Sequence, residues 1–386
     1  MTVEVRPLGD KCNIQCRYCY QEGIRAAGNV SAGYDLTAML NTLDALSEPF
    51  SLFGGEIMMT RRRDLEQLLA FGLQRYGGSN LQTNGTLIDE ADLRLFSAYA
   101  VRLGVSIDGP GALNDARWAG TLAATRRATA RTEAVIETLC REATPPSIII
   151  TLHRMNAAGA RLDILIDWLR FLDGLGVRRV RLHTLEIDSE AAAADLQLSR
   201  DDSVAVMRRL RALGPELASI RFDIFDEMTA MLRGQDHLAS CQFHACDSYA
   251  TQAVVGVEGD GTMSNCGRTN KDGVGYLRAG SHSFERQITL HRTPQQDGGC
   301  ADCRFFLMCK GNCPGTAMDG DWRLRSADCP VWFALFADIE RDLCAAGEVP
   351  LSLSPQRAAI EARMVEAWSQ GENPALSIVC NEVAGL

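Results

Sequence analysis

Along the first 215 or so residues, short apolar runs alternate with longer segments in which apolar residues recur every three or four positions. The runs are Val3–Gly9, Phe50–Glu56, Asn80–Gly85, Arg102–Gly109, Ser147–Arg154 and Val177–Leu185, and each reads as a strand. Between them, "RRDLEQLLAFGLQRY" (Arg62–Tyr76) and "RLDILIDWLRFLDGLG" (Arg161–Gly176) space their apolar residues for one face of a helix and meet a glycine at the end. Six strand-then-helix units predict an α/β fold built on a parallel sheet. Polar residues fall at the C-terminal ends of several of these strands, where barrel-type α/β folds assemble their sites. That favours a partial (β/α)6 TIM-type barrel over a doubly wound open sheet.

After about residue 235 the pattern breaks. Glycines multiply in "VEGDGTMSNCGRTNKDGVGYLRAG" (257–280), cysteines crowd together, and little is left to bury a conventional core, so metal is expected to organise the segment. Helical spacing returns in Val331–Gly347 and Pro355–Gly371, read as helices packed on the outside. The expected organisation is a barrel over 1–215, a bridging segment over 216–239, a cysteine-rich domain over 240–335 and a helical tail over 336–386. The alanine run Ala191–Ala194 reads as helix or linker.

Composition narrows the chemistry. The chain has 386 residues, 46% hydrophobic and 23% charged, and a net charge of −10, which argues against wholesale binding to nucleic acid or an anionic membrane. The longest apolar stretches fall far short of the ~20 residues of a membrane span, and the N-terminus lacks the pattern of a signal peptide. The expected location is cytoplasmic. Fourteen cysteines in such a chain point to metal or redox chemistry, not a disulfide framework. Cys140, Cys344 and Cys380 stand alone and read as small buried hydrophobes.

Cys12, Cys16 and Cys19 follow the first strand at spacing Cys-x3-Cys-x2-Cys. Zinc with a distant fourth ligand is one reading; a [4Fe–4S] cluster on three thiolates, with one iron left open, is the other. Together with Tyr18, the loop resembles the signature of the radical S-adenosylmethionine (SAM) superfamily. "GGE" (Gly54–Glu56), "QTNGT" (Gln82–Thr86) and "SIDG" (Ser106–Gly109) end the second, third and fourth strands in the order that family shows. The resemblance implies that SAM completes the cluster and is cleaved reductively to a 5′-deoxyadenosyl radical. Gly54, Gly55 and Glu56 would hold the SAM ammonium. Ser106 or Asp108 would reach its carboxylate or ribose, with Tyr18, Tyr20, Gln82 and Asn84 as further contacts. A reducing partner such as flavodoxin or ferredoxin is implied. The loop's place near the start carries the expectation that no peptide-recognition domain precedes it.

The second cysteine field runs Cys246-x14-Gly261-x4-Cys266, a gap, Cys300-x2-Cys303-x5-Cys309-x3-Cys313, a gap, then Cys329, with Cys241 ahead. Four of these could make one zinc knot, but eight suit two four-cysteine clusters better. The arrangement resembles the SPASM domain of radical SAM enzymes. That resemblance implies two auxiliary [4Fe–4S] clusters, one on Cys241, Cys246, Cys266 and Cys313, the other on Cys300, Cys303, Cys309 and Cys329, three clusters in all. Full ligation favours electron transfer over substrate binding.

Enzymes of that kind mostly modify peptides. The sulfatase-maturing branch places an aspartate base where this chain has Gly267. The expectation is therefore a maturase of a ribosomally made precursor peptide that forms an intramolecular cross-link, carbon–carbon at an aromatic ring, with net loss of two hydrogens. The alternatives are an anaerobic sulfatase-maturing enzyme, a thioether-forming or epimerising maturase, an enzyme acting on a non-peptide, and an iron–sulfur electron carrier or scaffold. Candidate bases are His153, Glu186, His183, Asp188 and Asp247, though such residues at strand ends more often complete hydrogen-bond networks. Arg268 and Lys271 could bind a peptide carboxylate or be solvated loop charges.

Overall fold

The computed structural model describes residues 2–26, 28, 30, 33–186, 190–247, 249–250, 253–269 and 283–384. All six expected strands form: Thr2–Arg6 (β1), Phe50–Leu52 (β2), Asn80–Thr83 (β3), Arg102–Ser106 (β4), Ser147–Leu152 (β5) and Arg179–Thr184 (β6). Each neighbouring pair in that series is parallel. Three more strands extend the sheet. Arg221–Phe222 (β7) adds to β6, and Val254–Glu258 (β8) adds in parallel to β1 from within the cysteine-rich part of the chain. Met263–Ser264 (β9) folds back antiparallel on β8. The order is β9-β8-β1-β2-β3-β4-β5-β6-β7, and among the described residues the two edge strands do not pair with each other. The α/β reading with a parallel sheet is borne out. Among the described residues no helix is long and apolar enough to cross a membrane.

The chain divides into two compact units. The first comprises Met1–Asp202, Arg209–Asp223 and Val254–Tyr276, and holds the whole nine-stranded sheet. Registered partners in a parallel ladder point to the same face, and side chains alternate faces along each strand. One face is apolar: Val3 and Val5 stand beside Phe50 and Leu52, Leu81 beside Leu103, and Val105 beside Ile148 and Val180. These side chains are buried, and burying each contributes about 1.5–3 kcal/mol. Helix Arg62–Tyr76 turns Leu65, Leu68 and Leu69 inward. It approaches the apolar face closely at Gly72, where a Cβ would lie 3.2 Å from the Phe50 ring. The opposite face carries Glu4, Arg6, Gln82, Ser106, Thr151, Arg181, His183 and Glu258, a predominantly polar surface.

The second unit comprises Ser203–Arg208, Ile224–Ala253 and Leu277–Leu386. Its core is aromatic: the Phe305 ring lies 5.0 Å from Phe333 and 5.5 Å from Phe336, and Phe306 meets Trp368 edge-on at 5.9 Å. The two expected tail helices form at Cys329–Ala345 and Arg357–Ser369. They are not an outer decoration, because Trp332, Leu335, Phe336, Ile360, Met364 and Trp368 are all buried. The first helix starts at Cys329, so a boundary at 335 would cut through it.

Candidate active site

The loop after β1 carries the three cysteines and is braced from both sides. On one side the Gly55 N–H donates to the Gly9 carbonyl at 3.1 Å, and the Glu56 N–H to that of Lys11 at 2.8 Å. A Cβ on Gly55 would stand 2.2 Å from the Asp10 oxygen and 2.3 Å from that of Lys11, and Gly54 adopts φ +127°. The paired glycines therefore answer the loop's own backbone, not only an approaching ligand. On the other side Gln15 and Cys16 pair antiparallel with Trp118 and Arg117, and the Arg17 N–H donates to Ala116 at 2.8 Å. Arg25 lies against Cys19, and its guanidinium donates to the Asp10 carbonyl at 3.4 Å. Burial pushes all three thiols up. Among the described residues no three His, Cys, Asp or Glu side chains gather to hold a single metal ion.

Glu56 is fixed by hydrogen bonds within the chain. It is 3% exposed. One oxygen accepts from the Met58 N–H at 3.0 Å and the Thr83 hydroxyl at 2.6 Å, and the other from the Asn84 N–H at 2.8 Å. It caps the turn Ile57–Met59 and ties it to the end of β3; burial pushes its carboxyl up. Asn84 reaches the cysteine loop directly, with Nδ2 2.9 Å from Asn13 Oδ1 and 3.8 Å from Cys12 Sγ. On the polar face, Gln82 and Ser106 touch at 3.5 Å.

Asp108 is the centre of a second buried network. It is fully buried. The Tyr18 hydroxyl donates to Oδ2, His153 Nε2 lies 3.3 Å from the same oxygen, and Arg117 Nε lies 3.2 Å from Oδ1, which also accepts from the Thr151 N–H at 3.1 Å. Burial pushes the carboxyl up, but Arg117, then His153 and Tyr18, pull it down to about 2. His153 Nδ1 accepts from the Met155 N–H at 3.2 Å. Both ring nitrogens of His153 are therefore engaged within the cluster. The cluster joins the cysteine loop through Tyr18, the end of β4 through Asp108, and the end of β5 through His153. Arg117 carries its charge and had no sequence signal.

A second group sits at the end of β6. Arg268 pairs with Glu186 at 2.8 Å, stands 3.5 Å from His183 Nδ1, and lies over the Tyr20 ring at 5.6 Å. Burial and the nearby Arg268, Arg181 and Arg117 hold His183 well below the ordinary histidine range, so it is neutral. At Gly267 a Cβ would point between Arg6 and Tyr20, 3.6 Å from each. Asp188 and Lys271 lie outside the described residues.

In the second unit, Asp247 is absorbed by backbone. It accepts from the N–H groups of Tyr249 at 2.6 Å, Ala250 at 2.8 Å and Ser283 at 3.2 Å, which ties the loop together. Cys300, Cys303, Cys309 and Cys329 line one cavity, walled by Phe305, Trp332 and Phe336. Successive turns place them: the Cys303 N–H donates to Cys300 at 3.1 Å, Cys309 to Phe305 at 2.8 Å, and Cys329 to Ser326 at 3.0 Å. Four thiols in a mostly apolar chamber fit a closed four-cysteine cluster. Of the other expected quartet, Cys241, Cys246 and Cys313 belong to this unit and Cys266 to the first.

Residues 7–154 match the Radical SAM superfamily. The chain is 25% identical over 371 residues to the serine-type anaerobic sulfatase-maturating enzyme of Klebsiella aerogenes, which covers 87% of this chain and 84% of that one. In fold it is similar to native anSMEcpe solved with AdoMet and the Cp18Cys peptide bound, with TM-score 0.68, 18% identity and coverage of 89% and 98%. It also resembles Streptococcus suis SuiB bound to S-adenosylmethionine, with TM-score 0.58, 14% identity and coverage of 85% and 76%.

Proposed function

Taking as premise that the chain carries a radical SAM domain and is a radical SAM enzyme, we propose that it matures a ribosomally made precursor peptide, forming a carbon–carbon cross-link at an aromatic side chain with net loss of two hydrogens. The observation that carries this reading is the single cavity on which Cys300, Cys303, Cys309 and Cys329 converge. A site closed by four thiolates has no open iron for a substrate, and suits taking up the electron released when a substrate radical becomes a closed-shell product.

When bound, SAM and the cluster on Cys12, Cys16 and Cys19 supply a 5′-deoxyadenosyl radical that takes one hydrogen atom from the peptide. The chain's own residues do the rest. Gly55 and Arg117 fix the cysteine loop from either side, and Gln82, Asn84 and Ser106 line its approach with hydrogen-bonding groups. The second hydrogen leaves as a proton, and Glu186, held at the end of β6 by Arg268, accepts it. With glycine at 267, no carboxylate projects beside Cys266 at that position, which supports a reaction other than sulfatase maturation. The peptide bound in the anSMEcpe structure supports the substrate class.

The test is anaerobic co-expression with the short open reading frame nearest the gene, followed by intact mass of the peptide. Loss of two hydrogens per modified motif is expected. An unchanged mass, or a serine or cysteine converted to an aldehyde in a sulfatase, would overturn the proposal.

A further inference from the structure

The chamber on which Cys300, Cys303, Cys309 and Cys329 converge is walled mostly by aromatic rings, yet three residues of its lining carry nitrogen donors left over from the fold. Asn312, Arg325 and Trp332 line it beside the four cysteines. Asn312 Nδ2, Arg325 Nε and Trp332 Nε1 are each buried, and among the described residues none of them has a hydrogen-bond acceptor. The Asn312 side chain is 3% exposed and that of Trp332 2%. All seven residues, four cysteines and three donors, belong to the second unit.

Each donor is anchored next to a cysteine. A terminal nitrogen of Arg325 donates to the Gly299 carbonyl at 2.6 Å, one residue before Cys300, and among the described residues no carboxylate pairs with this guanidinium. The Asn312 N–H donates to the Cys309 carbonyl at 2.8 Å, with Asn312 in left-handed backbone at φ 59°. Trp332 follows Cys329 by three residues on the same helix, so the two share a face. The amide NH2, the guanidinium and the indole N–H can only donate. Burying them unpaired costs the full desolvation of each, so the chamber calls for acceptors. Its own acceptors are the four sulfurs. A neutral thiol accepts weakly, whereas a metal-bound thiolate is anionic and accepts well. A trapped water would turn its own two hydrogens toward the rings of Phe305, Phe306, Phe333 and Phe336.

We propose that Asn312, Arg325 and Trp332 donate hydrogen bonds to the sulfurs of the cluster this chamber holds, as positioning residues that raise its reduction potential and fit it to accept an electron. The inference deepens the function proposed above and rests on its reading of the chamber as a cluster site. Hydrogen bonds to sulfur and a nearby positive charge favour the more negative, reduced state, so each donor removed makes reduction harder. The electron accepted is the one given up when the substrate radical loses its proton, one for each cross-link formed.

The experiment uses the full chain carrying Cys12→Ala, Cys16→Ala and Cys19→Ala, reconstituted anaerobically with iron and sulfide. Its readouts are metal counts, an EPR-monitored redox titration, and proton ENDOR of the reduced cluster before and after exchange into deuterated buffer. Cys303→Ser identifies the signal that belongs to this chamber. Trp332→Phe keeps an aromatic ring and removes the N–H. The potential of that signal should fall by about 59 mV, a ten-fold shift against reduction, and one exchangeable-proton coupling should vanish while any other signal stays. Arg325→Lys keeps the charge and loses Nε, and the same potential should fall. Iron-loaded variants whose potential and couplings do not move would overturn the inference and leave the cluster reading standing. If Trp332→Phe assembles no cluster, Asn312→Asp, which tolerates left-handed backbone and exchanges a donor for a carboxylate, should lower the potential; an unmoved potential again overturns the inference. A parent in which Cys303→Ser changes the zinc count and no iron signal would remove the cluster reading, and this inference with it.

Discussion

Replacing Asp108 by Asn tests whether the cysteine loop is held by a buried charge network. Asp108 is fully buried, and Arg117, with His153 and Tyr18, draws its carboxyl from the ordinary 3.8 to about 2. At 1.36 kcal/mol per pH unit, that preference for the charged form is worth about 2 kcal/mol. The substitution costs more than this, because it leaves the Arg117 charge buried without its partner; removing one member of such a pair typically costs about 3–5 kcal/mol. Arg117→Met should cost a similar amount, and the double variant less than the two together. The double-mutant cycle should then give a favourable coupling in the roughly 0.5–3 kcal/mol range of residues in contact, read as urea-unfolding free energies under anaerobic conditions. The pH dependence follows from the direction of the shift. A carboxyl depressed in the folded state stabilises above its unfolded value and loses that contribution as pH falls from about 4 through about 2. The difference between wild type and Asp108→Asn should therefore be flat from pH 5 to 8. A coupling near zero, or a difference that fades between pH 8 and 6, would refute the reasoning.

Three further outcomes follow. Gly55→Ala drives a Cβ into two carbonyl oxygens of the cysteine loop, so it should lose the iron of the N-terminal cluster while the auxiliary iron, counted after reconstitution, stays. Cys16→Ala should abolish 5′-deoxyadenosine formation measured by chromatography, whereas Cys329→Ala should still cleave SAM but release little cross-linked peptide. Glu186→Gln removes the proposed proton acceptor but not the cluster ligands; it should retain SAM cleavage and lower the yield of oxidised peptide roughly 100-fold.

Most of the six strands were legible because they place a buried apolar residue at every second position, as in Arg179–Thr184, and the intervening helices repeat every three to four residues. β8 was not. Val254–Glu258 is short and sits among glycines, and its partner β1 lies some 250 residues earlier, a pairing that no local pattern announces. The cysteines and strand-end motifs were legible as a set of residues, but their jobs were not. The partners of Glu56 and Asp108 were not legible, because what satisfies a carboxylate depends on neighbours distant in sequence: Thr83 and Asn84 for one, Arg117 and His153 for the other. Arg117 and Arg325 carried no motif at all. Such an arginine reads as surface charge until the fold removes the water around it.

The central claim is that one hydrogen atom leaves to SAM and a second leaves as a proton and an electron, giving an oxidised, cross-linked peptide. A stoichiometric anaerobic assay with purified enzyme and peptide measures it most directly, counting 5′-deoxyadenosine by chromatography and locating the product bond by tandem mass spectrometry. One 5′-deoxyadenosine for each pair of hydrogens lost, with the loss confined to a fragment containing an aromatic residue, is the predicted result. 5′-Deoxyadenosine formed in equal amount with a peptide that has lost no hydrogens would contradict it.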